Sequence, residues 1–122
     1  MADTYGEILL VSRNPQIVRL VDTTVQLEGY AVAIATSVVV FAKRVEADDR
    51  IGLALVDLTG FDARIWPMCD RLREGSTPLL MLAARKNPAI EMTGRSHGAN
   101  SVLGKPVGVR DLVNLIKVML EE

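Results

Sequence analysis

A single cysteine, Cys69, stands in this chain of 122 residues. An intramolecular disulfide is therefore excluded, which points to a reducing, cytoplasmic compartment. Aromatic residues are scarce, at 4%, so the core has to be built from aliphatic side chains. There is no excess of positive charge: the formal net charge is −1, which excludes the strongly basic footprint of a direct nucleic-acid binder. No apolar run approaches the ~20 residues that a bilayer span needs, so no membrane segment is expected. The opening residues MADTYGE lack the basic-then-apolar order of a secretory signal. Internal repeats and low-complexity stretches are also missing. What is present, 49% hydrophobic and 24% charged residues, describes one globular domain long enough to bury a core.

The pattern alternates between short apolar runs and helical periodicity. Glu7–Val11 (EILLV) is a continuous apolar run, as in a strand covered on both faces. Asn14-Pro15 follows, a capping residue and then proline at a first helical position. Ile17, Val21 and Val25, with Leu20 and Leu27 alongside, form one apolar stripe, and Gly29 ends that helix. Tyr30–Ala35 reads as a second strand. Thr36-Ser37 caps a helix whose stripe is Val38, Phe41, Ala42 and Val45, although the run Val38-Val39-Val40 favours strand. The turn DDRIG leads into a third strand, Leu53–Val56. A helix over roughly residues 63–74 begins near Arg64 or Ile65, because Pro67 is tolerated only in a first turn. Its inner face is Ile65, Cys69 and Leu72. Leu79–Leu82 is a fourth strand, Ala89–Ser96 a short helix closed by Gly98, and Ser101–Leu103 a fifth strand. Val109–Glu121 is the last helix, with Leu112, Leu115, Ile116 and Met119 inward.

Five strands alternating with five helices predict an α/β, flavodoxin-like (βα)5 fold with a doubly wound parallel sheet in the order 2-1-3-4-5. Sites in such sheets lie beyond the carboxyl ends of the strands. That edge gathers Ser12-Arg13, Asp57, Ala83-Ala84 and Lys105, although they are far apart in sequence.

The segments ILLVSRNP, LEGYAVAIA, LALVDL, RLREGSTPLLMLAAR and GANSVLGKP, in this order and spacing, resemble a response-regulator receiver (CheY-like) domain of two-component signalling. The likeness runs over nearly the whole chain. It implies that Asp57 stands at the phosphoacceptor position and that Lys105-Pro106 matches the family's lysine and cis-proline pair. It also implies departures. The family's two Mg²⁺-holding acids are replaced by Ser12 and Arg13. Ala83 stands where a Thr or Ser couples phosphorylation to the surface, and Val102 where an aromatic switch residue belongs. Phe61 and Ile65 occupy the usual Pro and Gly positions of the turn after Asp57, and Thr59 in that turn lines the same pocket.

These departures turn a net-negative pocket into a net-positive one. Mg²⁺ is held by carboxylates and phosphate oxygens, so Mg²⁺ binding is expected to be weak or absent, and efficient phosphorylation of Asp57 is not expected. An Arg13–Asp57–Lys105 cluster is expected in place of the metal, since charges ~4 Å apart attract by roughly 4 kcal/mol near a surface before desolvation. A net-positive pocket could also take up phosphate or sulfate. The resemblance then implies a degenerate, Mg-independent protein-interaction module. Its partners are a histidine kinase or an output domain outside residues 1–122, with a dimer or partner face on the last helices. A functional receiver phosphorylated on Asp57 is the first alternative. A flavodoxin-like small-ligand binder or enzyme is the second, opposed by the lack of a Gly-rich phosphate loop or a nucleophile–base pair. His97 reads as a helix-terminus residue, Cys69 as core packing, and Trp66 as a half-exposed helix-start residue.

Overall fold

A computed structural model describes residues 6–47 and 50–121. Asp48 and Asp49, in the expected turn before the third strand, lie outside the described residues. Among those described, the order is β1 (Glu7–Val11), α1 (Pro15–Leu27), β2 (Ala31–Ala35), α2 (Val38–Ala47), β3 (Ile51–Asp57), a 3₁₀ turn (Ala63–Ile65), α3 (Trp66–Glu74), β4 (Leu79–Ala83), α4 (Pro88–Ser96), β5 (Ser101–Gly104) and α5 (Val109–Glu121). The strands form one parallel sheet in the order β2-β1-β3-β4-β5, as expected.

The continuous apolar runs are sorted by the two-residue period of the strand. Leu9, Val11, Ala54, Val56, Leu79 and Met81 face α2 and α3, where they meet Phe41, Val45, Ile65 and Cys69. The alternate residues Ile8, Leu10, Leu53, Leu55, Leu80 and Leu82 face α1 and α5, where they meet Val21, Val25, Leu112 and Ile116. Burial on both faces is what fixes the register, because a one-residue slip would exchange the two faces.

Helix starts follow their capping chemistry. The Asn14 side chain accepts hydrogen bonds from the backbone N–H groups of Gln16 (2.9 Å) and Ile17 (3.4 Å), a cap contributing about 1 kcal/mol. Ser37 accepts from Val40 N–H at 3.2 Å. That cap carries the β-branched run into a helix whose buried residues are only Phe41 and Val45. Leu20 and Leu27 do not join the buried stripe of α1: they are 52% and 82% exposed. A seven-residue spacing returns them to one side of the helix, but that side is left uncovered. Val113, not among the inward residues Leu112, Leu115, Ile116 and Met119 expected of α5, is also buried in the core.

Cys69 is fully buried. Burial, with a smaller contribution from the charge of Asp70, pushes its thiol up to about 12, so it is an inert core residue.

Helix α4 approaches β5 closely. A Cβ on Gly94 would sit 2.8 Å from Val102 Cγ2 and 3.0 Å from Met81 Sδ. Gly94→Ala is accordingly expected to cost about 1–3 kcal/mol through overpacking, measured by urea denaturation. Val102→Ala in the same chain should recover part of that loss, because it opens the space the new methyl needs.

Candidate functional site

Asp57 is the last residue of β3, in register with Leu82 of β4, and the Leu58 N–H is still held by the Leu82 carbonyl at 2.8 Å. The sheet therefore carries the carboxylate to its carboxyl edge and no further. Its side chain is 1% exposed. The environment that tolerates a buried charge there is built from three donors. Lys105 Nζ lies 2.8 Å from Oδ1. The Thr59 backbone N–H donates to Oδ1 at 3.2 Å, and Ser12 Oγ donates to Oδ2 at 2.9 Å.

Each donor is positioned by the fold. Lys105 follows β5, its own N–H bound to the Ala83 carbonyl at 2.9 Å, and the Lys105-Pro106 peptide is cis. Its ammonium also donates to Thr59 Oγ1 at 3.1 Å. Ser12 follows β1, is completely buried, and is held by its N–H to the Ala35 carbonyl (3.1 Å). Ser12 Oγ in turn accepts from Asn14 N–H at 3.1 Å. One short hydroxyl thus links the buried acid to the cap of α1.

The expected Arg13–Asp57 pair does not form. Arg13 is exposed. Its guanidinium donates to the Gly60 carbonyl at 3.4 Å and lies 6.0 Å from the centroid of the Phe61 ring. The reason is energetic as well as geometric. Lys105 already neutralises Asp57, and burying a second cation costs desolvation with no second anion to offset it. At the rim, Arg13 stacks on a ring while keeping its water. The inner pocket is thus a balanced Asp57–Lys105 pair, with the extra positive charge outside it.

Asp57 is the only carboxylate among these groups, and both of its oxygens already accept hydrogen bonds. Asp62, the next acid along the turn, is held by Arg64 at 2.9 Å, whose hydrogen bonds keep the Asp62 carboxyl below its usual value. Asp57 is thus the one carboxylate this pocket offers, where Mg²⁺ is usually held by one or two carboxylates together with waters and phosphate oxygens.

The two positions that the resemblance assigns to a switch, Ala83 and Val102, are both buried. Ala83 is 3% exposed and presents only a methyl group. Val102 is buried beneath Gly94, where the space a larger ring would need is filled by the backbone of α4. Beside the pocket, Ile17, Leu20, Val21, Val107 and Leu112 line an apolar groove of about 470 Å³ that Lys105 borders. Leu20 owes its exposure to this groove.

One constellation is only partly visible in sequence. Trp66, at the start of α3, stacks on His97 with ring centroids 4.7 Å apart and planes at 13°. His97 caps the carboxyl end of α4, and its Nδ1 lies 2.8 Å from Asp70 Oδ1. Arg73 Nη1 donates to the Ser96 carbonyl at 2.6 Å. Position alone marks His97 as a helix-end residue. Its partners are 27 and 31 residues away in sequence, and no local pattern announces them.

No family model matches the chain. The transcriptional regulatory protein GltR of Pseudomonas aeruginosa is 28% identical over 98% of this chain. An uncharacterized transcriptional regulatory protein of Bacillus subtilis, YkoG, is also 28% identical, over 96%. The chain spans about half the length of these curated relatives, 51% and 52%. Among solved structures, a CheY-like response regulator receiver domain protein from Methanospirillum hungatei superposes with a TM-score of 0.85 at 23% identity, covering 97% of this chain and 95% of that one. A two-component response regulator from Clostridium difficile gives a TM-score of 0.86 at 14% identity, covering 96% and 97%.

Proposed function

This chain has the fold of a response-regulator receiver domain, and from that premise we propose that it serves two-component signalling as an Mg-independent protein-interaction module held in one state. The observation that carries the reading is the set of contacts on Asp57. Its two carboxylate oxygens are engaged by Lys105, the Thr59 N–H and the buried Ser12 hydroxyl. In phosphoryl transfer a metal ion neutralises the charge that develops. Here a serine stands where a metal-binding acid would help, and an ammonium already occupies Asp57. The missing hydroxyl at Ala83 and the confined Val102 support the same reading, because they leave no relay from the pocket to the surface.

Output in this reading passes through contacts with protein partners, a histidine kinase or an output domain, and the domain performs no catalysis of its own. The small-ligand alternative is disfavoured by the groove beside the pocket. Its volume lies in the usual range for ligands, but such pockets carry several convergent polar groups. This one is bordered by a single ammonium that Asp57 has already claimed.

The test is incubation with a small acyl phosphate and Mg²⁺, followed by intact mass measurement. The unmodified mass is expected. A stoichiometric phosphoryl adduct that disappears in Asp57→Asn would establish the alternative, a working phosphoacceptor. That second reading draws on one observation, the placement of Lys105 and the Thr59 hydroxyl where a phosphoryl group on Asp57 would meet them.

A further inference from the structure

We propose that His97 is a proton-sensitive latch between α3 and α4: with a second proton on its ring the end of α4 is drawn onto α3, and without it that end loosens. Three successive turns of α3 hold the end of α4. Trp66 and Asp70, four residues apart, share a side of α3. His97, the residue that ends α4, stacks on the first with ring centroids 4.7 Å apart and sets its Nδ1 2.8 Å from Oδ1 of the second. Arg73, a turn further along, donates to the Ser96 carbonyl at 2.6 Å. The approach is close. A Cβ on Gly98, the residue after His97, would sit 2.7 Å from Arg73 Cβ.

The surroundings of the ring favour its cationic form. Opposite an ionised carboxylate, a neutral imidazole keeps its one proton on Nδ1. A second proton on Nε2 turns that hydrogen bond into an ion pair, which is shorter-ranged in geometry and stronger. The His97 backbone N–H closes the last turn on the Thr93 and Gly94 carbonyls, so the ring stands at the carboxyl end of a helix, where a cation is favoured. A cation over an indole face is attracted as well.

The other charges do not cancel this preference. From α3, Arg73 Nη2 lies 3.7 Å from the same Asp70 Oδ1, against 2.8 Å for the imidazole, and its other terminal nitrogen is engaged by Ser96. Glu74, one turn beyond Asp70, adds negative charge to the same helix. On α4, Arg95 is turned to Glu91 at 3.3 Å and to the Asn100 carbonyl at 3.1 Å. Gly98, Ala99 and Asn100, which lead into β5, carry no titratable side chain. The His97 and Asp70 side chains are 28% and 32% exposed, so a proton reaches the pair without unfolding. Histidine changes charge between about pH 5 and 8. The added hold is therefore complete at the acid end of that interval and is lost as pH rises through it. None of these groups is a donor to Asp57, so the inference does not depend on the reading of that site.

The experiment is a pH titration of the full chain by NMR, alongside Asp70→Asn and His97→Gln. His97 is the only histidine, so the imidazole signals report one residue. Asp70→Asn should weaken proton binding to the ring at least about threefold, because it removes the opposite charge. Hydrogen exchange reads the latch itself. The Gly98 and Ala99 amides bond the Arg95 and Gly94 carbonyls. Corrected for the intrinsic rate, their exchange should slow as the ring takes its second proton, and in His97→Gln this pH dependence should vanish. Proton binding unchanged in Asp70→Asn overturns the proposal. So does a corrected exchange rate at Gly98 and Ala99 that ignores the titration of the ring, or that follows it equally in His97→Gln. The exchange measurement on the wild type decides the matter alone if a variant fails to fold.

Discussion

Lys105→Ala is expected to destabilise the domain by about 2–4 kcal/mol, because removing one partner of a buried ion pair leaves the other charge uncompensated. Asp57 would remain with its side chain 1% exposed, holding only the Ser12 hydroxyl and the Thr59 N–H. The estimate sits toward the low side of the range for buried pairs because Lys105 is itself 22% exposed, so water can enter where the ammonium was. Asp57→Asn should cost clearly less. The amide keeps the shape and most of the hydrogen bonds, and the ammonium left behind reaches solvent. Urea denaturation of the two variants gives the comparison. A Lys105→Ala loss below about 1 kcal/mol, or an Asp57→Asn loss as large as that of Lys105→Ala, would show that the pair is not what holds this edge of the sheet together.

Ser12→Asp is expected to make the stability of the domain depend on Mg²⁺. Ser12 Oγ lies 2.9 Å from Asp57 Oδ2, and both residues are fully buried. A second carboxylate there faces the first, and like charges at that distance raise the pKa of one of the two. A group whose folded-state pKa is raised favours the folded state only while protonated. The penalty is therefore absent at low pH, grows as pH rises through the unfolded value near ~4, and is complete above the raised value. A shift of about two units corresponds to roughly 3 kcal/mol. Millimolar Mg²⁺ should return much of this, because a cation that binds only the folded state stabilises it by mass action. The melting temperature of the variant should rise with Mg²⁺, while that of the wild type should not move. A wild type stabilised by Mg²⁺ to the same extent would remove the basis for the proposed function.

The fold was legible because its signals are local and redundant. Asn14-Pro15 marks a helix start, and the runs at Glu7–Val11 and Leu79–Leu82 are strands, extended in β4 only by Ala83. β3 is longer than expected at both ends, since Ile51 pairs with Glu7 of β1, the register shifts past Gly52, and Asp57 still pairs with β4. Periodicity misplaced Leu20 and Leu27 because it reports that apolar residues share a side of a helix, not that the side is covered. At the site, residue types gave the positions of Asp57 and Lys105 but not the direction of Arg13. Adjacent residues leaving a strand point to opposite sides, and Ser12 is the one that turns inward. That outcome depends on the competing donor from β5, which a reading of charges alone does not weigh. The role of Thr59 as acceptor for Lys105 was likewise hidden, because it depends on the path of a turn.

The stack of Trp66 on His97 has a practical consequence. Trp66 is the only tryptophan of the chain, and it bridges the first turn of α3 to the end of α4. The native emission of the protein therefore comes from one seam and carries no signal from any other indole. A displacement of α4 against α3, from whatever cause, would register as a change in colour or intensity of unlabelled protein. The domain carries its own optical gauge at the helix that packs closely on Val102 through Gly94.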